Sequence, residues 1–338
     1  MTWRSDTENI RLHLAELFIE HLGEPLSGEQ LSREIGISRT AIWKHMEYLT
    51  EIGFQFDAAP RRGYTLKEIP DCPLQPVVVR YLKNSTTLGR QVTHRSRVHS
   101  TNTIASELLS QGAPHGTAVT ADEQSGGRGR RGRSWISPFG GLWMSLLLTR
   151  PLPLHRAGEI TLLAGVATAR ALEHTFGLPA RIKWPNDILL HQKKICGILA
   201  EIRADGENVH SVILGIGMNV NLTENDILPE LRNKASSLQM ETGQRFSRAE
   251  VMGAILNEFN PMYTELVENG GGFAKVQEEW LSLCAHLGDW IEVQLGTERK
   301  RGLCLSIDRN GVLLMKMDNG QEIRVPSGEI VASETICY

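Results

Sequence analysis

The sequence predicts an α+β protein built in three segments. Three short amphipathic helices and a hairpin fill residues 1–66. Strand-like and helix-like patterns then alternate to about residue 283. Beyond about 286, short alternating runs are separated by Asn-Gly turns.

In the first segment, Ile10, Leu14, Leu17 and Phe18, followed by His21-Leu22, recur on one helical face. Ser27 is placed to cap a second helix carrying Leu31 and Ile35, and Gly36 ends it. Ser38 opens a third helix with Ile42, Leu49 and Ile52 at helical spacing, and Gly53 closes that one. Phe54, Phe56 and Tyr64 bracket a turn holding Arg61-Arg62-Gly63. Two short helices joined at a glycine and followed by a basic hairpin form a winged helix-turn-helix signature. Ser38, Arg39, Thr40, Lys44 and His45 are expected to face DNA from the third helix, with Arg61 and Arg62 on the wing. The competing reading is a small helical oligomerisation domain, because 1–66 holds seven Lys/Arg against ten Asp/Glu. Trp43 is read as either core or groove-facing.

Residues 67–85, with Pro70, Pro73 and Pro76 before Val77-Val78-Val79, read as a linker. In 86–283, candidate strands are Val119-Thr120, Leu142–Leu148, Ile182–Trp184, Ile198–Ile202 and Val212–Ile216. Candidate helices are Ile104–Leu109, Gly158–Phe176 and Arg248–Asn269. The last segment, 284–338, carries turn signals at Arg309-Asn310-Gly311 and Asp318-Asn319-Gly320 and reads as a small β-barrel.

A net charge of −3 excludes a general polyanion binder, so any nucleic-acid contact rests on local charge. Five scattered cysteines without a C-x-x-C pair argue against a disulfide framework or zinc site and fit a reducing cytoplasm. The start of the chain lacks a signal-peptide core, and the longest apolar run, Leu142–Leu148, is too short to span a bilayer.

Five motifs follow in the central segment. Ser100-Thr101-Asn102 offers hydroxyl and amide groups to a neutral polar ligand, or simply caps a helix. Gln124 precedes Gly127–Trp135, which packs four arginines and three glycines into nine positions. Glycine permits close backbone approach and guanidinium forks grip phosphate or carboxylate, so this loop reads as an anion grip rather than a solvated turn or RNA-binding tract. Lys183-Trp184-Pro185-Asn186-Asp187 is a strand end broken by proline, its Asn-Asp pair suited to a nucleotide base or to the water shell of a magnesium ion. Lys194-Ile195-Cys196-Gly197-Ile198-Leu199 sets a lysine at the head of an apolar strand, with Cys196 read as core. Gly215-Ile216-Gly217-Met218-Asn219 lacks the third glycine of a dinucleotide fingerprint. No cluster reads as a protein-only metal site, and no Ser-His-Asp pattern is present.

Taken together, Ser-Thr-Asn, the Gly-Arg-Gly-Arg-Arg-Gly-Arg-x-Trp loop, Lys-Trp-Pro-Asn-Asp, Lys-x-x-Gly-Ile-Leu and Gly-x-Gly-x-Asn-Val resemble the biotin–protein ligases. With the helix-turn-helix, the whole chain resembles the bifunctional bacterial form, ligase and biotin operon repressor at once. The resemblance implies a central ligase domain over 86–283 and an SH3-like barrel over 284–338. It implies ATP with Mg2+ and biotin as substrates, a biotin carboxyl carrier protein as acceptor, operator DNA as partner, and a homodimer when the adenylate is bound. Biotinoyl-AMP would be both intermediate and corepressor.

By matching motifs, the resemblance assigns catalysis to Lys183, Lys194 and Arg130. Biotin falls to Ser100, Thr101, Asn102, Gln124, Arg128, Gly129, Arg130 and Lys194. ATP falls to Arg131, Arg133, Lys183, Trp184, Asn186 and Asn219, while residues 222–238 would order over the adenylate. The charge count fits that chemistry. Like charges about 4 Å apart repel by about 1 kcal/mol in water and about 4 kcal/mol at an effective dielectric near 20, so joining a carboxylate to a triphosphate needs several fixed cations. Two other readings stand beside it: a transcription regulator that senses a vitamin without catalysis, and a lipoate or octanoate ligase. The second is disfavoured because Ser-Thr-Asn suits a polar ureido head.

Overall fold

The computed structural model describes residues 3–59 and 63–336. Its first layer is α1 (Asp6–Glu20), β1 (Pro25–Leu26), α2 (Gly28–Ile35), α3 (Arg39–Glu51), β2 (Phe56–Ala59) and β3 (Gly63–Leu66). The serines read as caps do cap: Ser27 Oγ accepts from the Gln30 amide and Ser38 Oγ from the Ala41 amide, while Gly36 turns left-handed (φ 79°) to end α2. Leu14, Phe18, Leu31, Ile42, Leu49, Phe54 and Leu66 close the small core. The three strands pair in the order β1-β3-β2, the wing of a winged helix-turn-helix. Arg61 and Arg62 lie outside the described residues.

Residues 67–85 correct the expectation of a linker. Cys72, Leu74, Val77 and Val78 are buried, and α4 (Gln75–Val78) packs between α1 and the central domain. Arg4 reaches across to donate to Gln75 Oε1 and the Val92 carbonyl, each at 3.1 Å. The prolines here stiffen a packed segment, because Val77-Val78-Val79 is apolar surface that must be buried.

The central domain comprises β4 (Val92–Val98), α5 (Thr101–Ser110), β5 (Ala118–Gln124), β6 (Leu142–Leu148), β7 (Leu152–Pro153), α6 (Glu159–Phe176), β8 (Arg181–Lys183), β9 (Asp187–Leu190), β10 (Lys193–Asp205) and β11 (Asn208–Met218). It continues with α7 (Leu238–Thr242), α8 (Arg248–Glu268) and α9 (Gln277–Leu283). The mixed sheet runs β4-β5-β6-β11-β10-β9-β8, with β7 pairing β11; β4 and β5 are parallel and the remaining pairs antiparallel. Its two faces follow from the period of two. Leu146, Leu148, Val212, Leu214 and Ile216 join the main core with α6 and α8, whereas Val119, Leu147 and Ile213 pack under α5. The strand read as Ile182–Trp184 ends at Lys183, where the chain turns through a cis Trp184–Pro185 peptide.

The C-terminal strands β12 (Trp290–Leu295), β13 (Glu298–Ile307), β14 (Leu313–Met317), β15 (Glu322–Val325) and β16 (Glu329–Ser333) form an antiparallel sheet, order β15-β14-β13-β12-β16. Gly311 and Gly320 adopt the positive φ (81° and 83°) that the Asn-Gly turns require. Among the described residues the two end strands do not pair, so the barrel is left open between β15 and β16.

Candidate active site

The face of the sheet that carries α5 stays open beyond the N-terminus of that helix, and three glycines lower its floor. Gly215 and Gly217 follow Ile213 on the same face of β11, and Gly197 of β10 is the cross-strand partner of Gly217. A Cβ at Gly217 would stand 2.7 Å from Trp135 Nε1, one at Gly197 3.0 Å from the same indole, and one at Gly215 2.7 Å from Asn102 Oδ1. The glycines therefore make a slot in which a flat group lies on bare backbone. Above it sits a cavity of about 390 Å³, walled by the arginine loop on one side and residues 222–235 on the other.

One end is polar and neutral. Ser100, Thr101 and Asn102 open α5 and are buried. Ser100 makes no side-chain capping bond, so its hydroxyl is available to the cavity. Gln124 Oε1 accepts from the Thr101 amide (2.8 Å) and hydroxyl (3.1 Å), and its Nε2 donates to Ser137 Oγ (2.8 Å). Ser145 Oγ contacts Thr101 Oγ1 at 2.7 Å and donates to Asn102 Oδ1 at 2.6 Å. That bond leaves Asn102 Nδ2 buried with no acceptor among the described residues, and Trp135 Nε1 is likewise a buried donor without a partner among them. Unpaired buried donors are costly, and a ligand acceptor would satisfy them.

The other end is cationic. Lys194 pairs with Leu189 of β9, and a register shift between it and Cys196 leaves Ile195 as the extra residue and bends β10 beside the lysine. Its Nζ lies 2.7 Å from Asp187 Oδ1 and 5.0 Å from the Trp135 ring centroid. Arg130 donates to Asn186 Oδ1 and to the Gly328 carbonyl, both at 3.2 Å, and burial lowers its pKa from the usual arginine value. Arg133 Nη1 donates to Glu329 Oε1 at 2.6 Å, and Arg128 pairs with Glu201 at 3.2 Å. The loop itself is closed by backbone bonds from Gly129 N to Arg133 O (2.7 Å) and Trp135 N to Gly127 O (2.8 Å).

Lys183 does not line the cavity. It is buried below it, with its backbone opposite Asp187. Burial pulls its pKa down to about 8; Asp187 opposes the shift and Lys194 adds to it. Cys196 is core, its thiol pushed up by burial.

Of the residues expected at the site, Ser100, Thr101, Asn102, Gln124, Arg128, Gly129, Arg130, Arg133, Asn186, Lys194 and Asn219 all line the one cavity. Trp184 and Arg131 do not. The Trp184 ring is buried, with Nε1 donating to the Gly311 carbonyl at 3.1 Å, because an indole beside the turn finds its apolar partners at the junction with the C-terminal sheet. Arg131 projects to solvent from the loop tip at φ 57°.

On α3, Arg39, Thr40, Trp43 and Lys44 are exposed, with Arg39 paired to Glu29 at 2.8 Å, and Ser38 spends its hydroxyl on the cap. His45 departs from the expectation. Three residues past Ile42 and four before Leu49, it falls on the inner stripe, half-buried with Nδ1 enclosed.

Sequence reasoning missed Ser145, Gly328 and Glu329, and it read Asp187 toward a base or a magnesium ion rather than as the partner of Lys194. Ser145 had a signal, being the single polar residue inside the Leu142–Leu148 run. Gly328 and Glu329 had none, since they arrive from about 200 residues away through the fold.

A helix-turn-helix joined to a mixed sheet, with a cavity neutral at one end and cationic at the other, defines a DNA-binding protein with a ligase-type adenylation core. Residues 95–219 match the Biotin/lipoate A/B protein ligase family and residues 11–65 match the HTH domain. The bifunctional ligase/repressor BirA of Bacillus subtilis (strain 168) is 38% identical over 312 residues, 92% of this chain and 95% of its own length. The biotin–[acetyl-CoA-carboxylase] ligase of Paracoccus denitrificans is 33% identical over 70% of this chain and 98% of its own. The solved biotin protein ligase from Aquifex aeolicus in complex with biotin and ATP superposes with a TM-score of 0.62 at 30% identity, covering 72% of this chain and 99% of that one. The chain belongs to the family of bifunctional biotin–protein ligases and biotin repressors.

Proposed function

We propose that the protein activates biotin with ATP, transfers it to a carrier-protein lysine, and represses transcription with the activated intermediate as corepressor. One observation carries the reading. Asn102 Nδ2 and Trp135 Nε1, both buried donors without acceptors, share a cavity with Lys194 and three arginines. That combination suits a ligand with a neutral polar head and an anionic tail.

Biotin fits in that sense. Its ureido carbonyl would accept from Asn102, with Ser100, Thr101 and Gln124 completing the hydrogen bonds, and its fused rings would lie beside the Trp135 indole that covers Gly197 and Gly217. The carboxylate would then reach Lys194, which exchanges Asp187 for the ligand. Arg128, Arg130 and Arg133 would hold the triphosphate, with Asn186 and Asn219 toward the nucleoside. The carboxylate oxygen attacks the α-phosphorus, the bond to the β-phosphate bridging oxygen breaks, and pyrophosphate leaves. The acceptor lysine amine then attacks the acyl carbon and expels AMP. The protein's contribution is fixed positive charge where negative charge gathers.

Magnesium would arrive with the nucleotide and screen its phosphates. Glu329 is engaged with Arg133, and the described residues hold no group of three or more metal-ligating side chains.

In the repressor role, Arg39, Thr40 and Lys44 on α3 would enter the operator, the wing arginines 61 and 62 would hold the backbone, and a homodimer would span two half-sites. Adenylate ordering residues 222–235 would favour that dimer by linkage. No described helix is long and apolar enough to cross a membrane. The buried free thiols fit a reducing cytoplasm. Incubating the protein with ATP, Mg2+, biotin and a carrier domain tests the reading. Biotin on the carrier lysine supports it, whereas no transfer, or preferential transfer of lipoate, rejects it.

A further inference from the structure

A second cavity, of about 290 Å³, lies between the DNA-binding domain and the catalytic sheet. One wall is α1 and Tyr48 of α3; the other is β4 at His94–Arg97. Three arginines line it, Arg11 from the first wall and Arg95 and Arg97 from the second, against a single carboxylate, Glu8. Two of the three have acidic partners. Arg95 sits 3.3 Å from Glu8, and Arg97 pairs with Glu123 at 2.9 Å through a side chain that is 74% exposed.

Arg11 differs from both. Its guanidinium lies 3.7 Å from the Tyr48 ring centroid, and its Nε is buried without a hydrogen-bond partner. Among the described residues it has no carboxylate. The stacking fixes the plane of the fork and leaves its donors unspent. Ser5 and Ser96 add hydroxyls to the same lining, and Ser5 is the N-cap of α1, so the positive end of that fifteen-residue helix meets the cavity as well. These groups recognise a compact, multiply charged oxyanion by forked donors and local positive charge.

We propose that this interdomain cavity binds a phosphate-class oxyanion, inorganic phosphate or pyrophosphate, held by Arg11 on the DNA-binding side and by Arg95 and Arg97 on the catalytic side. Such an anion is a bridge. It ties α1 and the back of α3 to β4, and β4 runs directly into Ser100–Asn102 at the mouth of the first cavity. Occupancy therefore fixes the orientation of the recognition helix relative to the catalytic sheet. The site does not depend on the ligase reading.

The test is calorimetric titration of the full chain with inorganic phosphate and, separately, pyrophosphate, at constant ionic strength. The first cavity is filled beforehand with a non-hydrolysable biotinoyl-AMP analogue. One further oxyanion per chain is expected, with affinity falling at least ten-fold in Arg11→Gln and in Arg97→Gln. Arg97→Gln is a surface change that leaves the fold and the rate of biotin transfer intact, so it decides the matter if Arg11→Gln does not fold. Whichever anion binds more tightly is the occupant. No saturable binding, or equal binding by wild type and Arg97→Gln, overturns the proposal. Loss of DNA binding in Arg97→Gln with oxyanion binding unchanged also overturns it, because the arginines would then belong to the DNA surface.

Discussion

Lys194 and Asp187 form an ion pair of 2.7 Å at the cationic end of the cavity, on neighbouring strands. The pair holds the half-buried ammonium where a ligand carboxylate is needed. Asp187→Asn is expected to leave Lys194 charged but unanchored. The biotin KM should rise and kcat fall, together about 10–100-fold in kcat/KM, since a misplacement near 1 Å costs about that much. Steady-state kinetics on the variant checks it.

Lys183 supplies a pH dependence. Its native pKa is near 8, against an ordinary value of 10.5. Between those limits the unfolded chain holds a proton that the native one has released, so its contribution to stability is present above 10.5 and is lost as pH falls through 8. Lys183→Met should therefore be more stable than wild type below pH 8, by at most about 3 kcal/mol. The gap should close as pH rises toward 10.5. Paired thermal melts across that range read it directly.

At the neutral end, Gly215→Ala would drive a Cβ to 2.7 Å from Asn102 Oδ1. Asn102 is bonded to Ser145 and has little room to yield. The biotin KM is expected to rise about ten-fold with ATP affinity unchanged. A similar rise in both constants would mean a collapsed site rather than a displaced amide.

Arg248 joins Asp122 (Oδ1, 2.9 Å) to Asp71 (Oδ2, 3.3 Å) in the core between the 67–85 segment and α8, while Asp122 Oδ2 meets His94 at 3.2 Å. Burial opposes the charged form of His94, but Cys72 and Asp122 outweigh it and raise its pKa to about 9. Arg248→Met removes the cation the two carboxylates share, leaving Asp122 with His94 alone and Asp71 with the Asn221 amide, and should cost about 3 kcal/mol in urea unfolding.

The helices, their serine caps and the central strands were legible in the sequence because they rest on local periodicity and on turn residues. So was most of the cavity lining, because Ser100–Asn102, Gln124 and the arginine loop come as contiguous or motif-spaced groups. What escaped was set by distance in the chain. Glu329 reaches Arg133 only because the C-terminal sheet docks beside the loop, and Trp184 looked like a ligand residue until Gly311 turned out to hold its indole. The 67–85 segment misled by composition: three prolines suggested a tether, whereas the adjoining valines required burial.

The most direct measurement follows adenylate formation and operator binding on one purified sample of wild type and of Lys194→Ala. Wild type should make biotinoyl-AMP and pyrophosphate from biotin and ATP without any acceptor present. Lys194→Ala should make it at least about 100-fold more slowly, the scale expected when a charge-stabilising group is removed. Both apo proteins should bind operator DNA equally. Biotinoyl-AMP formed by Lys194→Ala at the wild-type rate would contradict the site described here.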